Sequence, residues 1–246
     1  MALREEMEKS GHWLFRWRSY LPLLILVLSL IAFREFKYPF GSELLDDVWE
    51  MFCLAVSMSG VILRMITVGF VPEGTSGRNT KAQIADVLNT TGMYSVVRNP
   101  LYLGNFIIWF GLSLFVKVWW LSFIIILVFW IYYERIIFAE EEFLRDKFGQ
   151  QYLEWAEKTP AFIPKFSQWR RSSYPFSLRT ALKNEYSGFF AIIVIFTFME
   201  IFGDYIVTGK LEYDLMWQII SLFGLFIYIF LRIMKKKKLL NVDGRP

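Results

Sequence analysis

Residues Thr90–Phe115 read TTGMYSVVRNPLYLGNFIIWFGLSLF, a polar turn that passes at Arg98-Asn99-Pro100 directly into an apolar run. Asn is a favoured helix N-cap, and Pro is favoured at the first helical position, where a backbone N–H is not needed. The stretch therefore predicts a helix starting at Pro100, with its unpaired amides and the positive end of its dipole facing the preceding turn. Arg98 adds a full charge at that mouth, a combination suited to a carboxylate or phosphate. Working outward, a second polar stretch, Glu134–Pro164 (ERIIFAEEEFLRDKFGQQYLEWAEKTPAFIP), is the expected other half of the same site. At helical spacing Glu134, Phe138 and Glu141 share one face, Ile137, Glu140 and Leu144 the next, and Glu141 is placed to pair with Arg145.

Composition sets the solvent. Of the 246 residues, 55% are hydrophobic and 19% aromatic, with 10 Trp and 25 Phe. That is too apolar for an ordinary soluble domain and fits a chain bathed in lipid, with Trp and Tyr at the interfaces. Six apolar stretches stand out: Ser19–Phe33, Val48–Val71, Leu101–Val116, Val118–Tyr133, Ser187–Phe202 and Tyr213–Met234. Several fall short of the roughly 20 residues that cross a bilayer unaided, a deficit that flanking Trp, Tyr, Lys and Arg can cover by snorkelling. The third and fourth, separated by Lys117, predict a tight antiparallel hairpin. The fold expected is an all-α integral membrane protein of about six transmembrane helices. Three parts are expected: residues 1–71 with two spans, residues 72–186 as the core, and residues 187–246 with the last two spans and a basic tail.

Charge sets the orientation. With both termini on one side, 22 of the 27 Lys and Arg fall on that side and 4 on the other, the last being Arg64 inside the second stretch. The positive-inside rule then puts both termini in the cytoplasm. The two long polar segments, Pro72–Asn99 and Glu134–Tyr186, follow them there, so the pocket is expected to open to the cytoplasm. The Lys235–Lys238 run reads as a membrane anchor beside anionic lipid. No basic face on a soluble fold is present to bind nucleic acid. Cys53 and His12 are the sole Cys and His, so no intrachain disulfide forms and a Cys/His metal site is not expected. The turn Glu73-Gly74-Thr75-Ser76-Gly77 lacks the GK[ST] ending of a phosphate loop.

GMYSVVRNPLYLG, followed by an apolar hairpin and EEEFLRDKFGQQYLEW…PAFIP, resembles the isoprenylcysteine carboxyl methyltransferase and phospholipid methyltransferase superfamily. That family carries G-x-Y-x-x-x-R-H-P-x-Y-x-G and then E-E-x-x-L-x-x-x-F-G-x-x-Y. The likeness spans residues 89–164. It implies an integral-membrane methyltransferase using S-adenosylmethionine in a pocket of helix ends and cytoplasmic loops. Position by position, Tyr94, Arg98, Asn99, Pro100, Tyr102 and Gly104 would line the cofactor site, with Glu140 and Glu141 closing it. Arg98 and Glu141 are the residues on which catalysis would rest. Tyr94, Tyr102, Tyr152 and Trp155 are aromatics placed to stack on adenine or face the sulfonium.

One departure bears on the acceptor. The family's His is Asn99 here, and Asn cannot act as a general base near neutral pH. An acceptor that is already an oxygen anion needs no proton removed, which leaves proximity and alignment as the main source of rate. Arg64, costly inside a span, is the expected clamp on an anionic head group, with Arg135 as its second arm; pairing of Arg64 with Glu50 is the plainer alternative. The two extra spans after FSLRTALKNEYSGFF, and GTSGRNT before the motif, resemble the branch that methylates lipid A phosphate. That likeness implies a lipid acceptor and a bacterial inner membrane. Carboxyl methylation of a prenylated cysteine or other hydrophobic acid is the rival, followed by thiol or phosphatidylethanolamine methylation. An NADPH-dependent sterol-type reductase and a non-catalytic membrane scaffold come after these.

Overall fold

A computed structural model describes residues 2–18, 20, 23–75 and 85–246. Ser19, Arg78, Lys81 and most of GTSGRNT, to which expectations above attach, lie outside them. Eight α-helices follow one another: α1 (Leu3–Trp17), α2 (Leu23–Ala32), α3 (Glu43–Gly69), α4 (Pro100–Phe115), α5 (Trp119–Phe148), α6 (Gln150–Lys158), α7 (Leu178–Thr208) and α8 (Leu215–Lys236). No strand is present among the described residues; Gly92 and Arg170 form an isolated bridge. Four helices, α3, α5, α7 and α8, are long and apolar enough to cross a membrane. The chain is an all-α membrane protein.

The six expected spans correspond to six apolar helices of unequal length. α4 has 16 residues and α2 has 10, so α4 is about 24 Å long against a hydrocarbon core of about 30 Å. The long helices run past the apolar stretches that announce them. α3 starts at Glu43, where the Ser42 hydroxyl accepts from the Leu45 amide. α7 starts at Leu178, where Ser177 accepts from the Thr180 amide. Thr180, Ala181 and Glu185 are buried there, so packing carries the helix through a polar stretch. α5 continues without a break from Tyr133 into the Glu-rich segment. It stops at Gly149, whose φ of 53° lies in the left-handed region that glycine adopts without a Cβ penalty.

α3 and α4 lie against each other along their lengths. At one end the Trp49 indole donates to the Leu114 carbonyl, 2.9 Å; further along Ser57 donates to the Ile108 carbonyl, 3.0 Å. Gly60 and Gly104 permit the approach: a Cβ on Gly60 would stand 2.6 Å from the Gly104 carbonyl oxygen. Small residues give membrane helices this backbone contact, because lipid supplies no hydrophobic drive to pair them. α1 packs on α5 in the same manner, Gly11 lying against the Arg135 carbonyl.

The bundle has two polar ends around an apolar middle. Near one end a core of Phe33, Phe36, Phe115, Phe196 and Trp217 is buried; near the other, Phe15, Tyr102, Phe129, Tyr133 and Ile136 are. The outer faces stay apolar, as Ile219, Phe223, Phe226 and Phe230 on α8 show, matching contact with lipid tails. The C-terminal tail folds back to the end of α3: Arg245 is buried and donates to the carbonyls of Gly69, Val71 and Pro175, at 3.3, 3.1 and 2.6 Å. It thereby joins the end of α3 to the loop that leads into α7. Gly60→Ala should cost about 1–3 kcal/mol through overpacking against backbone, read as a lower unfolding temperature of the detergent-solubilised protein.

Candidate functional site

The two polar stretches meet at one end of the bundle. The Arg98 amide donates to the Pro160 carbonyl at 2.8 Å, the Lys165 amide to Val96 at 2.9 Å, and the Gly92 amide to Arg170 at 2.9 Å. Residues 92–98 are thus stitched to residues 160–170 before any side chain is considered. The Arg98 guanidinium then spans three segments. Its Nε and Nη2 donate to the two carboxylate oxygens of Glu141 on α5, at 2.8 and 3.3 Å. Its Nη1 donates to the carbonyls of Ala156, 2.7 Å, and Thr159, 3.0 Å, at the end of α6. The planar fork of Arg suits this two-point grip on a carboxylate, and Lys would not reproduce it.

The neighbours repeat the pattern. Asn99 stands at the N-cap position of α4 but makes no capping bond; its amide nitrogen donates instead to the Ala161 carbonyl, 3.1 Å. That corrects the capping role expected of its side chain: the loop carbonyl draws it away from the helix. Pro100 opens α4 as expected. Tyr102, one turn in, donates to Glu140 at 2.7 Å, and Arg18, the C-cap of α1, reaches the same oxygen at 3.4 Å. Tyr94 receives the Trp155 indole N–H on its carbonyl, 3.1 Å. Gly104 sits in the α3–α4 contact, against Arg64 and the Gly60 carbonyl. The expected Glu141–Arg145 pair is not formed: Arg98 occupies Glu141, and Arg145 pairs with Glu142 at 3.0 Å. Arg4 from α1 also meets Glu142.

Arg64 and Arg135 are directed to different partners and form no common clamp. Arg64 donates through Nε and Nη2 to both oxygens of Glu185 on α7, 2.9 and 2.8 Å, and through Nη1 to the Asn105 side-chain oxygen, 2.6 Å. Asn105 passes its own N–H to the Tyr133 hydroxyl, 3.2 Å. Arg135 donates to Ser10 on α1, 2.9 Å. The alternative pairing of Arg64 with Glu50 is also replaced, because Glu50 lies at the far end of α3 beside Trp217. Glu185, Asn105 and Tyr133 were not singled out from sequence. The signal for Asn105 and Glu185 was a lone polar residue on or beside an apolar run, which needs a partner once in lipid.

Beside Arg98 opens a cavity of about 510 Å³, lined by Ala156, Glu157, Thr159, Pro160 and Lys165 among others. A smaller one, about 220 Å³, lies against Ser95, Trp155, Thr159 and Gln168. The larger volume lies in the range of small-molecule sites. The Gln168 side-chain oxygen, on the wall of the smaller cavity, is buried with no hydrogen-bond partner among the described residues, and the buried Tyr152 hydroxyl lies against Glu141. Burial first, and then the Glu141 charge, hold the Tyr152 pKa above its ordinary value, so it stays a protonated donor. An acceptor left open on one cavity wall, with Lys158, Lys165 and Glu157 around the other, fits a zwitterionic polar ligand.

Two measurements test these networks. The Arg98→Ala, Glu141→Gln double-mutant cycle should give a coupling of about 1–3 kcal/mol in unfolding free energy. Arg64→Met should cost about 3–5 kcal/mol by leaving the buried Glu185 carboxylate unpaired. Arg64→Met, Glu185→Met should recover most of that loss.

The model of the family described as phospholipid methyltransferase matches residues 49–151. The nickel-cobalt-cadmium resistance protein NccN of Alcaligenes xylosoxydans xylosoxydans is 32% identical over 165 residues, 67% of this chain and 70% of that protein. The cobalt-zinc-cadmium resistance protein CzcN of Cupriavidus metallidurans is 31% identical over 135 residues, 54% of this chain and 60% of that protein. Protein-S-isoprenylcysteine O-methyltransferase B of Arabidopsis thaliana is 30% identical over 149 residues, 58% of this chain and 72% of that enzyme. No solved structure matches. The matched region holds Arg64, Arg98 and the α4–α5 hairpin with its glutamates. The chain is a membrane methyltransferase of the isoprenylcysteine carboxyl methyltransferase and phospholipid methyltransferase superfamily.

Proposed function

We propose that this protein moves a methyl group from S-adenosylmethionine to an oxygen anion on a membrane lipid, a lipid A phosphate foremost, at the Arg98 end of the bundle. The observation that carries the reading is the Arg98–Glu141 fork beside a cavity walled by Glu157, Lys158 and Lys165. S-adenosylmethionine supplies an electrophilic methyl on a positively charged sulfur when bound. Lys158 and Lys165 on the cavity wall offer the charge to hold its carboxylate, and Glu157 the charge to meet its ammonium group. Gln168, on the wall of the smaller cavity, offers an acceptor to its polar edges. Glu141, gripped by Arg98, places a carboxylate near a cationic ligand. The excess of Lys and Arg at this end supports its facing the cytoplasm.

The acceptor follows from what the site lacks. Asn99 carries no base, and its amide is committed to Ala161. A phosphate or carboxylate oxygen has a lone pair ready and gives up no proton on methylation. The new O–CH₃ bond forms as the S–CH₃ bond breaks, and the acceptor loses one negative charge. What the chain contributes is alignment of the two substrates at the bilayer surface. A lipid surface stripped of negative charge attracts divalent cations less, which would connect such a reaction with the metal-resistance names of two relatives.

Similarity to isoprenylcysteine O-methyltransferases favours a second reading, carboxyl methylation of a prenylated cysteine. Both acceptors are oxygen anions, and one experiment separates them. Membranes carrying the protein are incubated with methyl-labelled S-adenosylmethionine, and lipid and protein fractions are counted and weighed by mass spectrometry. The expected result is label in a phosphate-bearing lipid with the mass of one added methylene, falling about 100-fold in Arg98→Ala as alignment is lost. Label confined to protein would transfer the assignment to the second reading. Absence of label from both, with NADPH bound tightly, would overturn methyl transfer to either.

A further inference from the structure

Between α6 and Phe166 the chain reads Thr159-Pro160-Ala161-Phe162-Ile163-Pro164-Lys165 and forms no helix, yet it reaches the level of the membrane helices. The Phe162 ring lies 6.0 Å from Phe106 on α4, and 6.5 and 5.8 Å from Phe129 and Trp130 on α5, between ring centroids. Phe106 is six residues past Pro100, the start of α4, and Phe129 is five before Glu134, the first charged residue of α5. Both helices therefore place Phe162 about 7–9 Å below their polar ends. The groove it fills is on the outer side of the bundle, since Trp130 is 56% exposed. Beyond that anchor Ile163 is 79% exposed and Phe166 67%. Two large apolar side chains held outward beside a lipid-facing helix call for an apolar partner.

Irregular backbone at membrane depth needs its polar groups matched by protein, and much of this segment is matched. The carbonyls of Thr159, Pro160 and Ala161 accept from the Arg98 guanidinium, the Arg98 amide and the Asn99 side chain, at 3.0, 2.8 and 3.1 Å. The Lys165 amide donates to Val96 at 2.9 Å, and Pro160 and Pro164 have no N–H to satisfy. We infer that residues 160–166 form a loop that dips into the leaflet at the Arg98 end of the bundle, with Ile163 and Phe166 among lipid acyl chains. Lipid is the occupant because Phe162 fixes the loop against faces of α4 and α5 that the bilayer already covers, and a soluble partner would have to displace it. Asn99 gains a task on this reading: its amide holds the loop down instead of capping α4. The same loop walls the cavity beside Arg98 through Ile163, Pro164 and Lys165, so a lipid resting on Ile163 has its head group near the cavity mouth. That consequence for the acceptor rests on the methyl-transfer reading; the seating of the loop does not.

The test measures depth and needs no activity. Cys53 is the sole cysteine and is buried, so Ile163→Cys and Phe166→Cys, each in a Cys53→Ala background, take a nitroxide label at one chosen position. The full chain is placed in vesicles of phosphatidylcholine and phosphatidylglycerol. Relaxation of the label by oxygen, which partitions into acyl chains, is compared with relaxation by a water-soluble nickel chelate. Ile131→Cys, on the outward face of α5, gives the lipid reference, and Asp146→Cys, exposed near the polar end of α5, gives the water reference. At positions 163 and 166 oxygen should dominate several-fold, as at 131, and Phe162→Ala should move the label at 163 toward the water value. A nickel response at 163 and 166 equal to that at 146 would overturn the dip in favour of a loop in water. Labels screened from both reagents would overturn it as well, by showing protein in the place of lipid. Should the Cys53→Ala background not fold, the native Cys53 is retained, since its buried thiol takes no label, and the same readings decide.

Discussion

A guanidinium held away from bulk water must have its N–H groups matched, and Arg98 matches them across three separate pieces of chain. Glu141 comes from the end of α5, Ala156 from α6, and Thr159 from the turn beyond. The backbone bonds from Arg98 to Pro160 and from Lys165 to Val96 fix the same pieces without side chains. The residues before α4 and after α6 therefore form one unit, and the cavity beside Arg98 exists because that unit is closed. A charge-assisted, two-point contact of this kind sets geometry as well as energy. The site's shape depends on it more than on any apolar contact nearby.

Charge elsewhere follows the same logic. Glu140 is held by Tyr102 and Arg18, and Glu142 by Arg4 and Arg145. The three successive glutamates of α5 thus point to different partners, among them Arg4 of α1 and Arg18 at its C-terminal cap. An apolar helix that emerges from the membrane with three carboxylates needs those partners, and the amphipathic α1 brings arginines to it. Deeper in the bundle, Arg64 and Glu185 join α3 to α7 where glycines already bring α3 against α4. The pair sits between packed helices with Asn105 and Tyr133 beside it, and Arg64 is matched by Glu185 and Asn105, as a buried ion pair requires.

Much of this was legible in the chain. The apolar runs announced the helices because a membrane requires every backbone group to be paired within the segment. Arg98-Asn99-Pro100 announced the start of α4, and the paired spacing with the α5 glutamates announced that they belong together. Helix ends were less legible. α3, α5 and α7 run on through polar residues whose helical state rests on tertiary partners, as with Thr180 and Glu185. The Asn99 side chain fits a capping role by residue type, yet a carbonyl from residue 161 competes for it and wins.

The sequence by itself determined the all-helical membrane character, the meeting of two polar stretches at one end, and the family. All of these rest on local composition and on motifs a few residues long. The tertiary structure alone decided who pairs with whom: Arg64 with Glu185 rather than Glu50, Arg145 with Glu142 rather than Glu141, and Glu50 beside Glu200 at the opposite end. Two of those pairings join residues from helices far apart in the chain, and the third, within α5, is decided by Arg98 arriving from elsewhere to take Glu141. One turn of rotation or a few ångströms of shift between packed helices changes which charges meet, and spacing along a single helix carries no record of that.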